Sequence, residues 1–81
     1  MEKVIKIAST KGLHAQLASK LVHITNKYDV DIYLTYENIK VDAKSILGLM
    51  SLAVPHGENV LAVAEGNDAE KAIKEIENLL G

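Results

Sequence analysis

The sequence predicts an α+β fold in which four short strands form one sheet and three helices cover one face of it. Stretches of alternating apolar residues are separated by segments in which apolar residues recur every three or four positions. Glycine and proline are sparse, with five and one among 81 residues, so most of the chain is expected to be regular structure. The predicted order of elements is β-α-β-β-α-β-α.

The strands are predicted from stretches rich in β-branched and aromatic residues, namely residues 3–8, 31–36, 39–42 and 59–65. Between the second and third strands, Glu37 and Asn38 suit a two-residue hairpin turn. The helix-facing positions are expected to be Ile5, Ile7, Ile32, Leu34, Val60, Ala62 and Ala64.

That alternation turns a second apolar set outward, comprising Val4, Tyr33, Leu61 and Val63. Two interpretations are open for this outer face. It is a surface for weak self-association or partner binding centred on Tyr33, Leu61 and Val63, or it is a set of scattered exposed apolar side chains.

The first helix is predicted from Ala15 to about Tyr28, with an apolar stripe that includes Leu21. The second follows Ser45, a preferred N-cap residue, and contains Gly48, which permits close backbone packing. The third has apolar residues at helical spacing, namely Ala69, Ala72, Ile73, Ile76, Leu79 and Leu80. Asn67 with Glu70 three residues later predicts a capping box at its start.

Length and composition limit the range of functions that this chain can have. Residues 1–81 are expected to form one small domain. The net charge of −2 argues against a nucleic-acid partner, which needs a basic face. The absence of cysteine excludes disulfides and thiol chemistry. No apolar run approaches the ~18 residues of a membrane span, and residues 1–7 lack the apolar region of a signal peptide, so a cytoplasmic protein without membrane insertion is expected.

His14 is the main candidate for chemistry, because it lies where Gly12 turns the chain and a helix begins. A helix N-terminus offers unpaired N–H groups and a partial positive charge, which together bind anions. A neutral imidazole is a nucleophile, and the backbone donors near Ala15 and Gln16 would hold phosphoryl oxygens. The pattern predicts a histidine that carries phosphate; the alternative is a partly exposed turn histidine.

Ser45 is the second candidate, with two interpretations. It is an ordinary N-cap, or it is a regulatory phosphorylation site, since a helix start tolerates a phosphate. Ile46 and Leu49 are expected to be buried. Leu47 and Met50, three positions apart, are expected to share an exposed face for partner docking.

The remaining histidines carry no predicted chemistry. His23 is expected on a helix surface and His56 in a loop, and the spacing 14, 23, 56 matches no zinc motif. No glycine-rich nucleotide loop is present, so neither a metal nor a cofactor is expected.

Three blocks resemble HPr, the histidine-containing phosphocarrier of the bacterial sugar phosphotransferase system: residues 12–15, 44–52 and 65–70. The resemblance extends over almost the full length, and the middle block is the most specific. It implies an HPr-like open-faced β-sandwich, in which a four-stranded antiparallel sheet is covered on one face by three helices.

The resemblance also implies roles for individual residues. His14 would take phosphate through Nδ1 from the first enzyme of the system, itself charged by phosphoenolpyruvate, and pass it to a sugar-specific acceptor protein. Ala15, Gln16 and Leu17 would support the phosphate. Ser45 would be the target of an ATP-dependent HPr kinase/phosphorylase, and its phosphate would promote binding to a transcriptional regulator of carbon use.

Two positions depart from the usual His-Ala-Arg-Pro run of that family. Gln16 replaces the arginine and supplies neutral hydrogen bonds without a charge. Leu17 replaces the proline, which presets φ in a first helical turn, and is expected to be exposed beside His14 as part of the docking face. Three functions stay open: a phosphocarrier, favoured by the retention of His14; a regulatory protein controlled at Ser45, favoured by the loss of arginine; and an inactive relative.

Overall fold

The computed structural model describes residues 1–81. Strands β1 to β4 cover Glu2–Lys6, Asp31–Tyr36, Ile39–Asp42 and Asn59–Glu65. Helices α1 to α3 cover Ala15–Thr25, Ile46–Ser51 and Ala69–Leu80. The strands form one antiparallel sheet in the spatial order β1-β4-β2-β3, and the chain order is β1-α1-β2-β3-α2-β4-α3. The predicted fold class and element order are confirmed.

One face of the sheet is buried beneath the helices. All seven side chains expected to face the helices are buried, which confirms the predicted alternation. They join buried side chains of all three helices in one apolar cluster of 21 residues. Because burying one large aliphatic side chain contributes roughly 1.5–3 kcal/mol, this single layer of contacts is the main source of stability.

Two predicted elements end earlier than expected, because N–H groups beyond the observed end donate to acceptors that do not continue the element. Strand β1 ends at Lys6, and the N–H of Ala8 donates to the carbonyl of Leu80 on α3 at 2.9 Å. Helix α1 ends at Thr25, and the N–H groups of Lys27 and Tyr28 donate to carbonyls three residues earlier. Bonds of that spacing tighten and terminate a helix.

The predicted capping box at the start of α3 is wrong. The N-cap residue is Asp68, and its side chain makes no capping hydrogen bond. The N–H of Ala69 donates to the carbonyl of Gly66 at 3.3 Å, so a turn precedes the helix and delays its start by one residue. Glu70 therefore occupies the second helical position, where a capping box requires the third.

The predicted hairpin between β2 and β3 is confirmed. Glu37 and Asn38 have φ values of 49° and 67°, and Tyr36 pairs with Ile39 across the turn. Left-handed φ at both central residues is typical of the tight hairpin turn whose twist matches the flanking strands.

Two polar contacts connect α1 to the rest of the molecule. The hydroxyl of Thr25, a fully buried polar side chain, donates to the carbonyl of Ala43 at 2.9 Å. Just beyond α1, Lys27 Nζ lies 2.8 Å from a carboxylate oxygen of Glu75 on α3, and the Tyr28 hydroxyl donates to the same carboxylate. The hydrogen bond from Lys27, together with that from Tyr28, lowers the pKa of Glu75, and the bond to Glu75 raises the pKa of Tyr28.

None of the three helices is both long and apolar enough to cross a lipid bilayer.

The lowered pKa of Glu75 predicts a loss of stability in acid. A carboxylate bound more tightly in the folded state stabilises it fully above the ordinary value of 4.5, and this stabilisation disappears as the pH falls through the lower folded-state pKa. Urea denaturation at neutral and acidic pH should show a larger loss for the wild type than for Glu75→Gln. Glu65→Gln is the control, because the Glu65 side chain is exposed and makes no hydrogen bond; it should behave as the wild type does. Equal losses in the wild type and Glu75→Gln would contradict the prediction.

Gly12 and Gly57 form a matched pair for testing the loop before α1. Both have left-handed φ, 69° and 86°. A Cβ at position 12 would overlap the carbonyl oxygen of Val54, whereas a Cβ at Gly57 meets nothing within 4 Å. We expect Gly12→Ala to lower the free energy of unfolding by roughly 2–4 kcal/mol and Gly57→Ala by about 1 kcal/mol. Chemical denaturation measures both, and equal losses would show that the close approach to Val54 is unimportant.

Candidate functional site

The loop that leads into α1 is held against the loop that leaves α2. At Gly12 the backbone approaches the Val54 carbonyl more closely than any side chain would allow. The next residue, Leu13, is buried and donates its N–H to that carbonyl at 2.8 Å. The sequence does not predict the role of Val54, because a carbonyl 41 positions away along the chain leaves no local signal. This contact determines where His14 lies and where α1 begins.

His14 is the N-cap residue of α1. Its backbone is extended, with φ −89° and ψ 175°, and its carbonyl accepts the N–H of Ala18 at 2.9 Å. The imidazole is half-buried and makes no capping hydrogen bond. The ring is therefore at the surface beside the helix end, with its nitrogen lone pair not committed to the fold.

The first three N–H groups of α1, those of Ala15, Gln16 and Leu17, have no acceptor within the chain. This follows from helix geometry, because the first donors precede the point at which a carbonyl four residues earlier becomes available. The Gln16 side chain is exposed and adds a neutral amide donor. The arrangement suits an anion beside the imidazole.

The expectation that Leu17 is exposed is wrong. Its side chain is only 8% exposed and belongs to the apolar core. It lies one helical turn before Leu21, which is fully buried, so both side chains point along the same stripe into the molecule. The Leu17 side chain therefore takes no part in a docking face.

Ser45 is the N-cap residue of α2, as the sequence predicts. Its backbone is extended, and its hydroxyl oxygen accepts the N–H of Gly48 at 3.1 Å. A Cβ at Gly48 would come within 3.3 Å of Val41 Cβ on β3 and 3.4 Å of Ser45 Oγ. The glycine thus allows the helix to pack closely against the sheet. Ser45 itself is half-buried.

Helix α2 presents an apolar outer surface, which we call the α2 patch: Ile46, Leu47 and Met50. The predicted exposure of Leu47 and Met50 is confirmed, at 80% and 40%. The predicted burial of Leu49 is confirmed, but that of Ile46 is wrong, because it is 41% exposed. A six-residue helix has few inward positions, and Leu49, followed by buried Leu52, occupies them.

The backbone that follows α2 connects the helix capped by Ser45 to the loop that carries His14. Helix α2 ends at Ser51, and Ala53 then takes a left-handed φ of 49° that directs the chain towards Val54. For a residue with a side chain this conformation costs about 1–2 kcal/mol. The helix capped by Ser45 therefore continues directly into the carbonyl that positions the His14 loop.

Among the other predicted features, His56 lies beside the His14 loop, with its backbone N 3.1 Å from the position that a Cβ at Gly12 would take. His23 and His56 are exposed, and no group of three histidine or carboxylate side chains lies close enough to hold a metal ion. On the outer face of the sheet, Val4 is 60% exposed, and Tyr33, Leu61 and Val63 are half-buried. Lys40 Nζ lies 4.4 Å from the centre of the Tyr33 ring and covers part of this face.

Comparison with known proteins identifies the family to which this chain is similar. A family model described as "PTS HPr component phosphorylation site" matches residues 1–81. The phosphocarrier protein HPr of Haloferax volcanii is 43% identical over 82 residues, which cover 99% of this chain and 92% of that protein.

Solved structures extend the likeness to the fold. The crystal structure of the phosphocarrier protein HPr from Bacillus anthracis strain Ames has a TM-score of 0.96 at 32% identity, covering 100% of this chain and 96% of that one. The solution structure of Crh, the Bacillus subtilis catabolite repression HPr, has a TM-score of 0.69 at 34% identity, covering 99% and 95%. Similarity of this extent, in sequence as well as in structure, means that the chain belongs to the HPr family of phosphocarrier proteins.

Proposed function

We propose that this chain is a phosphocarrier of the sugar phosphotransferase system, in which His14 accepts a phosphoryl group from the first enzyme and passes it to a sugar-specific acceptor protein. The observation that carries the proposal is the half-buried imidazole of His14, which makes no capping hydrogen bond, beside three unpaired backbone donors in a member of the HPr family. The protein would act in the cytoplasm as a covalently modified substrate of its partners rather than as a free-standing enzyme.

The chemistry uses a phosphoryl donor, the imidazole of His14 and an acceptor. The lone pair of a neutral imidazole nitrogen, Nδ1 by resemblance to the family, attacks phosphorus as the donor's bond to phosphorus breaks. The new nitrogen–phosphorus bond is later broken by the acceptor's nucleophile, which returns the imidazole unchanged. The N–H groups of Ala15, Gln16 and Leu17 would bind the phosphoryl oxygens at the positive end of α1.

The replacements of the family's arginine and proline have opposite effects on how strongly the site binds a phosphoryl group. Gln16 lacks the positive charge and the bidentate geometry of arginine, which weakens the hold on a transferring phosphoryl group. Leu17, unlike proline, carries an N–H, and that N–H is unpaired here. We infer that the third backbone donor partly offsets the missing charge.

The α2 patch is the docking surface we propose for the first enzyme and the acceptors. Its three side chains, Ile46, Leu47 and Met50, are exposed on one short helix that packs against α1. Contiguous exposed apolar side chains on a small protein favour a partner surface. The flexible thioether side chain of Met50 suits a surface that accepts more than one partner.

The alternative function is regulatory, and one observation favours it. Ser45 caps α2 at the edge of the α2 patch, and a phosphate there would be tolerated by the helix N-terminus while it places negative charge beside the patch. The solved relative named catabolite repression HPr supports this alternative. Its partners would be an HPr kinase/phosphorylase and a transcriptional regulator of carbon use.

Phosphotransfer to His14 has a direct test. Phosphoenolpyruvate and the first enzyme should place acid-labile phosphate on the wild type and none on His14→Gln. Gln16→Arg should accelerate labelling about ten- to a hundredfold, because it restores a charge-assisted contact worth about 1.5–3 kcal/mol. Gln16→Leu, which removes the neutral donor without adding a charge, is the matched control and should be slower than the wild type. Labelling is followed by quenched-flow assay.

The outcomes separate the two functions. Labelling that persists in His14→Gln would contradict the assigned site. A wild type that takes no phosphate while Gln16→Arg does would support the regulatory alternative. If neither the wild type nor Gln16→Arg is labelled, the carrier function is wrong.

The serine site is tested with ATP and HPr kinase/phosphorylase. Acid-stable phosphate is expected on the wild type and on Ser51→Ala, which alters an exposed serine of the same helix, but not on Ser45→Ala. Loss of the cap should lower the free energy of unfolding of Ser45→Ala by about 1 kcal/mol, so a denaturation curve must accompany the assay. A wild type that remains unlabelled would remove the regulatory alternative.

A further inference from the structure

Phosphoryl transfer to His14 develops negative charge at a site whose donors on α1 are all neutral. In the transition state this charge is spread over the phosphoryl oxygens. The backbone N–H groups of Ala15, Gln16 and Leu17 carry no charge, and neither does the exposed side-chain amide of Gln16. Because a hydrogen bond from a charged donor is roughly twice as strong as one from a neutral donor, a cation within reach would contribute more than any one of these groups.

Acidic and basic side chains are unevenly distributed along the chain. Residues 7–28 and 43–57 contain no aspartate or glutamate, although the whole chain has a net charge of −2. The lysines of these two segments are Lys11, Lys20, Lys27 and Lys44. The segments meet where Gly12 approaches the Val54 carbonyl. The surroundings of the His14 loop therefore favour an anion.

Lys11 is the lysine that the backbone places nearest in the chain to His14. The N–H of Gly12 donates to the Ser9 carbonyl at 2.9 Å, and the N–H of His14 donates to the Gly12 carbonyl at 3.0 Å. Lys11 lies within the first of these tight turns and His14 closes the second, so the two residues are closer than the ~11 Å that three residues of extended chain would span. The flexible four-carbon stem of lysine can therefore bring its ammonium group to a phosphoryl oxygen beside the imidazole.

No group of the protein holds the Lys11 ammonium. The side chain is exposed and makes no hydrogen bond or salt bridge, while its backbone N–H bonds to the Ser9 hydroxyl at 3.3 Å. Lys20 is also exposed and unpaired, but it lies six residues after His14, about 9 Å further along the axis of α1. Lys11 is therefore the free cation on the His14 side of the helix start.

The other charged groups of this region already have partners. Lys27 Nζ lies 2.8 Å from a carboxylate oxygen of Glu75, and Lys44 Nζ donates to a backbone carbonyl beyond α1 at 2.8 Å. Glu58 and Glu77 lie near the start of residues 7–28. The Glu58 carboxylate accepts a tyrosine hydroxyl at 3.2 Å, and that of Glu77 lies 3.4 Å from a lysine Nζ of β1. None of these groups competes for Lys11.

We propose that Lys11 supplies the positive charge that Gln16 lacks, by binding a phosphoryl oxygen with its ammonium group as the phosphoryl group moves onto His14. The inference rests on the proposed carrier function, because that function brings the phosphoryl group to His14. The nitrogen–phosphorus bond forms as the donor's bond to phosphorus breaks, and the ammonium group keeps its three protons throughout. Lys11 acts from the loop before α1, whereas the backbone N–H groups act from the helix itself, so the anion is held from two sides.

Labelling by phosphoenolpyruvate and a saturating amount of the first enzyme tests this role. Lys11→Gln should slow labelling about tenfold, whereas Lys11→Arg, which keeps the charge, should stay within about twofold of the wild-type rate. Lys20→Gln removes the same charge from α1 further from His14, and it should also stay within about twofold. In the Gln16→Arg background, Lys11→Gln should slow labelling less than about threefold, because a charged donor is already present.

Three kinetic results would contradict the inference. Equal losses in Lys11→Gln and Lys20→Gln would mean that only the overall charge matters. A failure of Lys11→Arg to retain the rate would mean that the charge is not what Lys11 contributes. An effect of Lys11→Gln that is undiminished in the Gln16→Arg background would mean that the two positions do not share one task.

Binding of inorganic phosphate tests the same contact without any enzyme. At constant ionic strength, phosphate should shift the backbone amide NMR signals of residues 15–17, and Lys11→Gln should raise its dissociation constant at least about threefold relative to Lys20→Gln. Thermal unfolding establishes that both variants are folded. If the wild type takes no phosphate from the first enzyme while phosphate binding depends on Lys11, the carrier function is wrong and the anion contact of Lys11 stands. If the wild type is labelled but phosphate binding does not depend on Lys11, the inference is wrong and the carrier function stands.

Discussion

The hydrogen bond from the Leu13 N–H to the Val54 carbonyl holds together the two loops on which the site depends. It forms because Gly12 lacks a Cβ and lets the two backbones meet. Leu13 and Val54 are both buried, so water does not compete for this bond, and leaving either group unpaired would be costly. The direction of α1, and with it the position of His14, follows from this contact.

The N-termini of α1 and α2 differ in whether a side chain accepts a hydrogen bond from their free backbone N–H groups. At α2 the hydroxyl of Ser45 accepts the N–H of Gly48 and completes the helix. At α1 the side chain of His14 makes no such bond, so the donors that follow it stay available. A cap that is absent costs stability, typically about 1 kcal/mol, and leaves a site for an anion. The N-terminus of α2 is therefore closed by its own cap, whereas that of α1 keeps donors free for an anion.

Much of the fold could be predicted because it depends on residues close together in the chain. Alternation in β2 and β4, helical spacing in α3, the cap at Ser45 and the turn at Glu37 and Asn38 are each decided within a few positions. His14 was identifiable in the same way, since a glycine turn followed by a helical pattern predicts its place at a helix start. The resemblance to HPr added the roles of these residues, which local patterns do not contain.

The tertiary structure alone decided the burial of two helix side chains beside the candidate sites. Leu17 is buried and Ile46 exposed, against expectation, because the available core positions depend on how α1 and α2 lie on the sheet. The close approach of Gly12 to Val54 likewise depends on a partner distant in sequence. The sequence by itself determined the elements, their order and the buried face of the sheet through local periodicity, whereas the burial of Leu17, the exposure of Ile46 and the contact between Gly12 and Val54 were decided by packing between segments far apart in the chain.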